Sequence, residues 1–138
     1  FAGSFMTAET TMDMPSLCAS AGVRLHGSVE EQYIIGFSYD YAAGSKPAYA
    51  RLDYLYYGES YATFGQSEDQ MSPAYEKFNL NWGVELNENS TLQLSIDNLM
   101  DNRTEAFKFS ADSPGWRPRN YLQWIPPRSV SLRYTYRY

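Results

Sequence analysis

The chain has 138 residues, enough for one globular domain with a core, and 17% of them are aromatic. Its formal net charge of -5 argues against a general nucleic-acid binder, because neutralising phosphates requires clustered Lys and Arg. The apolar runs are far shorter than the roughly 18 to 20 residues of a transmembrane helix, which excludes a helical membrane protein. A membrane β-barrel is not excluded, since it exposes only every second side chain to lipid.

The sequence offers little material for metal, redox or catalytic chemistry. It contains one Cys and one His, Cys18 and His26, and we assign a site to neither. Cys18 has no disulfide partner within the chain. No nucleophile–base pair, phosphate loop or paired acid stands out, so we expect no enzyme, cofactor or metal site. The chain begins FAGSFMTAET without an initiator Met, and we interpret it as a mature piece or a fragment.

The first half of the chain contains three predicted strands. One lies in FAGSFMT at 1–7. The second, at 33–41, alternates an apolar set with a mostly polar set, although Ile34 interrupts the polar one. Its apolar set is Tyr33, Ile35, Phe37, Tyr39 and Tyr41. The third, at 48–57, follows the short turn AAGSKP and forms a hairpin with the second. Its two alternating sets are Ala48, Ala50, Leu52, Tyr54 and Tyr56 against Tyr49, Arg51, Asp53, Leu55 and Tyr57.

The second half repeats this period-two pattern. FNLNWGVELN at 78–87 is predicted to place Phe78, Leu80, Trp82, Val84 and Leu86 on one face, with Asn87 among the polar side chains of the other. The polar turn ENS joins this strand to TLQLSID at 91–97, and the last strand is SVSLRYTYRY at 129–138. Together the patterns predict an all-β fold of about six antiparallel, up-and-down strands without a helix.

The predicted connections alternate strictly between short and long. The turns after Tyr41 and Asn87 are short, whereas 8–30, 58–76 and 99–127 each run to roughly twenty residues or more. In an up-and-down sheet all long connections then lie at one end, which is typical of outer-membrane barrels. Aromatic residues near the predicted strand ends suit interfacial girdles: Tyr33, Tyr41, Tyr54, Tyr56, Tyr136 and Tyr138. The sequence therefore favours a transmembrane barrel over a soluble β domain with a Tyr-rich core.

Three segments resemble a known protein family. SIDNLMDNRT at 95–104 and PRSVSLRYTYRY at 127–138 are similar to the N-N-L-x-D-like segment and the closing strand of TonB-dependent outer-membrane receptors. FMTAETTMDMPSLCASAGVRLHGSVEEQYIIGFSYDY at 5–41 resembles the strand, acidic loop, G-x-R-L-x-G-x-P segment and descending strand of that family. Tyr138 replaces the commoner Phe, Val29 replaces Pro, and His26 interrupts the usual Leu-Pro-Gly, which leaves the ligand subclass open.

The resemblance implies that residues 1–138 form the C-terminal part of a large receptor barrel, with the plug domain and earlier strands absent. It implies uptake of a scarce nutrient, a ferric siderophore or a carbohydrate, across the outer membrane of a Gram-negative bacterium. The implied partners are outer-membrane lipid, the remaining strands and plug, the TonB complex, the barrel assembly machinery and a small-molecule ligand, but not nucleic acid. Alone, the segment should neither bind ligand tightly nor transport it.

The candidate site residues lie in the last strand and in two loops. The resemblance implies that Leu132, Tyr134, Tyr136 and Tyr138 form the signal recognised by the assembly machinery. Predicted ligand contacts in extracellular loops are Trp116, Arg117, Arg119, Tyr121, Trp124, Tyr61 and Phe64. Arg pairs well with anionic groups, and aromatic faces stack on planar ligands or sugars. Alternatively, these aromatic side chains pack the loops themselves.

The face opposite the aromatic side chains carries charged residues that we expect to line a lumen and to pair across neighbouring strands. They are Arg51, Asp53, Glu85, Asp97, Arg133 and Arg137. Two alternatives to the receptor stay open, namely a smaller passive or adhesive outer-membrane barrel and a soluble β-rich carbohydrate-binding module. The sequence determines neither the ligand nor the oligomeric state.

Overall fold

The computed structural model describes residues 2–17, 19–66, 68–111 and 119–138. Its strands are β1 (Ala2–Phe5), β2 (Glu31–Ala43), β3 (Lys46–Tyr57), β4 (Ser60–Tyr61), β5 (Met71–Ser72), β6 (Tyr75–Asn87), β7 (Ser90–Asp97), β8 (Glu105–Ala111), β9 (Arg119–Trp124) and β10 (Ser129–Tyr136). In these ranges the helical segments are two short 3-10 turns, Pro15–Leu17 and Glu68–Gln70. No helix among the described residues is long and apolar enough to cross a membrane.

Six strands form one antiparallel sheet in the order β1-β2-β3-β6-β7-β10. Neighbours in the sheet are neighbours in the chain once the two small hairpins are set aside. Those hairpins, β4–β5 and β8–β9, lie inside the long connections, which the sequence pattern treated as loops. The prediction of an all-β fold with about six antiparallel, up-and-down strands is confirmed.

The connections lie at opposite ends of the sheet according to their length. Two-residue turns at 44–45 and 88–89 join β2 to β3 and β6 to β7. Gly44 has φ of 69°, a conformation that a side chain disfavours, and this permits the first tight turn. The segments 6–30, 58–74 and 98–128 join the main strands at the other end. The predicted alternation of short and long connections is confirmed.

One prediction about the faces is wrong at the end of β6. The register shifts between Glu85 and Asn87, so Glu85 is opposite Thr91 whereas Asn87 is opposite Ser90. This bulge places Asn87 on the face of Ser90, whose hydroxyl donates to Asn87 Oδ1 at 2.7 Å. Asn87 therefore leaves the polar face to which strict alternation assigned it.

The described part of the chain has a small interior. Its buried apolar residues are Ala19, Ala48, Ala62, Val84 and Ile125. Only Ala48 and Val84 of these lie in the six-stranded sheet, where they are register partners. The three others lie in the long connections. A packed second layer would bury many more large side chains of the sheet.

Candidate functional site

One face of the sheet, here called the apolar face, carries hydrophobic side chains in continuous rows, because register partners in antiparallel strands point to the same side. One row consists of Phe37, Leu52, Leu80, Ile96 and Val130. The next two are Tyr39, Ala50, Trp82, Leu94 and Leu132, then Tyr41, Ala48, Val84, Leu92 and Tyr134. Both Phe37 and Leu132 are 68% exposed. The predicted apolar sets thus form one continuous surface, which is mostly exposed on β2 and β10 and half-buried or buried on β6 and β7.

Aromatic rings border the apolar face toward the long connections. Tyr33 stacks on Tyr56 with ring centroids 4.8 Å apart, and Tyr54 lies between Tyr33 and Phe78 at 6.0 and 4.8 Å. The Tyr54 hydroxyl donates to Glu76 Oε2 at 2.9 Å. The edge of the apolar face nearest the long connections is therefore formed by aromatic rings, and one of them hydrogen-bonds to a carboxylate there.

A second aromatic border lies toward the short turns. Tyr39 stacks on Tyr41 at 5.8 Å, and Trp82 Nε1 donates to the Tyr41 hydroxyl at 2.6 Å. Tyr33 and Tyr41 are eight residues apart on β2, about 27 Å along an antiparallel strand. A strand tilt of about 40° would reduce this distance to about 20 Å, close to the height of the apolar band on outer-membrane barrels.

The predicted assembly residues lie on β10, an edge strand of the sheet, and just beyond it. Leu132, Tyr134, Tyr136 and Tyr138 are all exposed. The end of the strand is tied to the second short turn, because Arg137 N–H donates to Asn89 O and Asn89 Nδ2 donates to Arg137 O, both at 2.8 Å. This places the terminal aromatic residues beside a short turn.

The opposite face, here called the polar face, carries charged and amide side chains. The Arg51 guanidinium contacts the Asp53 carboxylate at 2.9 Å, an ion pair along β3 rather than the expected one between strands. The Tyr49 ring lies across Gly83, so close that a side chain at position 83 would clash with it. Gln93 Nε2 donates to the Tyr49 hydroxyl at 3.3 Å. The ring thereby spans β3, β6 and β7.

A hydrogen-bonded junction at 98–104 anchors the third long connection. Asn98 is 1% exposed and has φ of 52°. Its Nδ2 donates to the carbonyls of Asn102 and Pro126, both at 2.9 Å, and its Oδ1 accepts from Asn102 N–H at 3.0 Å. Asn102 Nδ2 donates to Glu76 O at 3.0 Å. Sequence reasoning did not single out Asn98, although the segment 95–104 contributed to the family resemblance.

Asp101 completes this junction. Its carboxylate accepts from Arg128 N–H at 2.9 Å and from Arg103 Nη2 at 3.1 Å. These two hydrogen bonds lower the pKa of Asp101, the one from the Arg128 backbone most, because they stabilise the ionised form. The start of β10 is thereby attached to the end of β7.

The long connections contact one another through two of the predicted ligand residues. The Tyr61 ring centroid lies 5.1 Å from the guanidinium carbon of Arg24. The backbone carbonyl of Tyr61 accepts a hydrogen bond from Gly27 N–H at 2.7 Å. Phe64 packs edge-on against His26, with ring centroids 4.8 Å apart. Tyr61 and Phe64 therefore contribute to packing between the first two connections, and their role toward a ligand stays a prediction.

Arg24 is a residue that sequence reasoning missed, although it lies in the quoted G-x-R-L segment. Its guanidinium forms ion pairs with Glu30 at 2.9 Å and Glu59 at 3.5 Å, and its side chain is 13% exposed. It thereby joins the connection 6–30 to the connection 58–74. An uncompensated pair of carboxylates would repel across this junction.

The remaining predicted ligand residues belong to the third connection. Trp116 and Arg117 lie outside the described residues, as does Cys18. Arg119 begins β9, whereas Tyr121 and Trp124 lie further along it and are each 53% exposed. Trp124 is the register partner of Glu105, whose carboxylate pairs with Lys108 at 2.8 Å. With Phe107 on β8, which is also exposed, the described part of this hairpin carries three exposed rings.

No protein-family model and no curated protein matches this chain. Within the described residues, no group of three or more His, Cys, Asp or Glu side chains is arranged to hold a metal ion.

Proposed function

We propose that this chain is the C-terminal barrel segment of a TonB-dependent outer-membrane receptor that takes up a scarce nutrient. The observation that carries the proposal is the exposed apolar face with aromatic rings along both borders. Lipid chains would cover the aliphatic rows, and the two aromatic borders would lie at the two membrane interfaces.

Two further features support this proposal. The three long connections share one end of the sheet, where extracellular loops of such barrels lie. The edge strands β1 and β10 have main-chain groups that lipid cannot satisfy, so further strands must pair with them. The segments 95–104 and 127–138 add the resemblance to the receptor family. Loop residues such as Trp124 would then contact a ligand before uptake.

The test compares two neighbouring positions on β10. Leu132 and Ser131 are both exposed, but alternation places them on opposite faces. Leu132→Cys and Ser131→Cys, each with Cys18→Ser, are labelled with an environment-sensitive fluorophore, and the whole protein is refolded into vesicles containing nitroxide-labelled lipid. We expect blue-shifted, strongly quenched emission at position 132 and water-like emission at 131.

Two results would reject the proposal. Water-like emission at both positions would mean that the apolar face is not in contact with lipid. A monomer that stays in aqueous buffer and unfolds cooperatively without vesicles would favour the soluble binding module instead.

A further inference from the structure

At its end near the long connections, the polar face carries aliphatic and aromatic side chains. There, Ile34 and Leu55 are register partners, and so are Tyr57 and Tyr75 in the adjacent row. The two tyrosine rings stack with centroids 5.0 Å apart and an interplanar angle of 21°. We call these four residues the aromatic patch. It interrupts a face that elsewhere, apart from the Tyr49 ring, carries mostly amide, hydroxyl and charged side chains.

A cavity of about 290 Å³ adjoins the aromatic patch. Its lining consists of five residues whose side chains belong to the polar face, Ala2, Ser4, Gln32, Ile34 and Tyr57, together with Tyr33 and Tyr56, whose rings lie on the apolar face. Ser4, Gln32 and Tyr57 are successive register partners on β1, β2 and β3, so they lie side by side on the polar face. Adjacent strands are about 4.8 Å apart, so the side chain of Gln32 starts between those of Ser4 and Tyr57.

The cavity lining contains no Asp, Glu, Lys, Arg or His. Of the carboxylates nearby, Glu30 and Glu59 contact Arg24 and Glu76 accepts from Tyr54, whereas Glu31 precedes Gln32 but does not line the cavity. Lys77 lies beyond Leu55 in its row and does not line the cavity. A charged chelate would find no counter-charge here, and desolvating it would cost free energy. The lining therefore matches an uncharged ligand.

We propose that this cavity binds one ring of an uncharged saccharide. The flat C–H face of a pyranose packs on aromatic and aliphatic side chains such as Tyr57 and Ile34. Its hydroxyl groups exchange hydrogen bonds with Gln32, which offers both donors and an acceptor, and with Ser4. The cavity volume is at the lower end of the range for small-molecule sites, which suits one or two rings. This inference deepens the proposed function and rests on it for the step of uptake.

The test is calorimetric titration of the whole protein, refolded as for the lipid experiment, with maltose, cellobiose and diacetylchitobiose as probes. We expect at least one probe to bind. Gln32→Ala should weaken that binding by about tenfold, because removing one hydrogen-bonding partner leaves a sugar hydroxyl unsatisfied. Tyr57→Ala should weaken it at least as much. Gln93→Ala removes another amide of the polar face, on β7 and outside the cavity lining; it is the matched control and should bind like the parent.

The outcomes separate this inference from the proposed function. Lipid contact at position 132 without binding of any of the three probes would overturn the saccharide site alone. Binding that neither Gln32→Ala nor Tyr57→Ala reduces would overturn it as well, since the sugar would lie elsewhere. Binding lost in both variants, in a protein without lipid contact, would support the saccharide site and reject the receptor. Tight binding of 2,3-dihydroxybenzoate in place of all three sugars would overturn the uncharged class.

Discussion

The two faces of the six-stranded sheet are built from the same strands yet differ in chemistry. On β10, Leu132 and Tyr134 alternate with Arg133, and all three side chains are exposed. On β3, Leu52 lies between Arg51 and Asp53, whose side chains pair with each other on the opposite face. Burial within the chain therefore does not distinguish the faces.

This contrast teaches that the register of the strands, and not burial in a core, separates the two kinds of side chain. A slip of the register by one residue would exchange the faces, so the register has to be secured. Local features do this at both ends of the strands. Asn98 ties the end of β7 to the third connection, and the bulge at Glu85 and Asn87 adjusts the second short turn.

The largest loss of unfolding free energy is expected when a charge is placed on the apolar face. Leu94 lies in the middle of that face, opposite Trp82 and Leu132. Under the proposed function, Leu94→Arg should lower the free energy of unfolding in vesicles by up to about 4 kcal/mol, because arginine at mid-depth faces lipid. Denaturant titration in vesicles, followed by tryptophan fluorescence, measures this loss.

The matched control introduces the same charge one residue away. Ser95 lies on the polar face between Asn81 and Ser131, so Ser95→Arg should change the unfolding free energy by less than about 1 kcal/mol. Equal losses in Leu94→Arg and Ser95→Arg would contradict the assignment of the faces.

The next largest effect is expected at the junction of the long connections. Asn98→Ala removes a buried amide that forms three side-chain hydrogen bonds, and it places alanine at a positive φ. We expect a loss of about 3 kcal/mol in unfolding free energy, because buried backbone groups lose their partners. Asn87→Ala, at an exposed position by the short turn, should cost about 1 kcal/mol or less. A smaller loss at Asn98 than at Asn87 would contradict the anchoring role of this junction.

Most of the sheet could be predicted from the sequence because its signal is local. Alternation in segments such as 78–87 and 91–97 requires only neighbouring residues, and the hairpins follow from short turns. The bulge at Asn87 could not be predicted, since one extra residue leaves no distinctive composition. The hairpin β8–β9 was also missed, because its strands are short and belong to a Pro-rich connection.

The candidate site was less accessible to sequence reasoning because it depends on contacts between distant segments. In the sequence, Ile34 is visible only as an interruption of a polar set, whereas the register pairs it with Leu55 and sets it beside Tyr57. The packing of Phe64 on His26 and of Tyr61 on Arg24 likewise joins separate connections. Such contacts become visible only once the sheet has brought the ends of the strands together.

A smaller loss of unfolding free energy is expected from adding a methyl group at Gly83, on the polar face. Gly83→Ala would place a methyl group against the Tyr49 ring, at a distance that forces the ring to move. We expect a loss of about 1 to 2 kcal/mol in unfolding free energy. In the double variant with Tyr49→Ala the methyl group has room, so the two effects should not add. Additive losses, measured by the same titration, would contradict the contact between ring and glycine.

The smallest expected effect is the pH dependence of the unfolding free energy that Asp101 causes. This residue lies outside both faces of the sheet. Because its pKa is lowered in the folded chain, this carboxylate stabilises the fold above its ordinary pKa of 3.8. The contribution is lost as the pH falls through the lower, folded-state pKa. Between pH 3.8 and more acidic values, unfolding free energy should therefore fall more steeply in the parent protein than in Asp101→Asn. The other carboxylates are common to both proteins, so the difference in slope isolates Asp101, and identical slopes would contradict its link to Arg128 and Arg103.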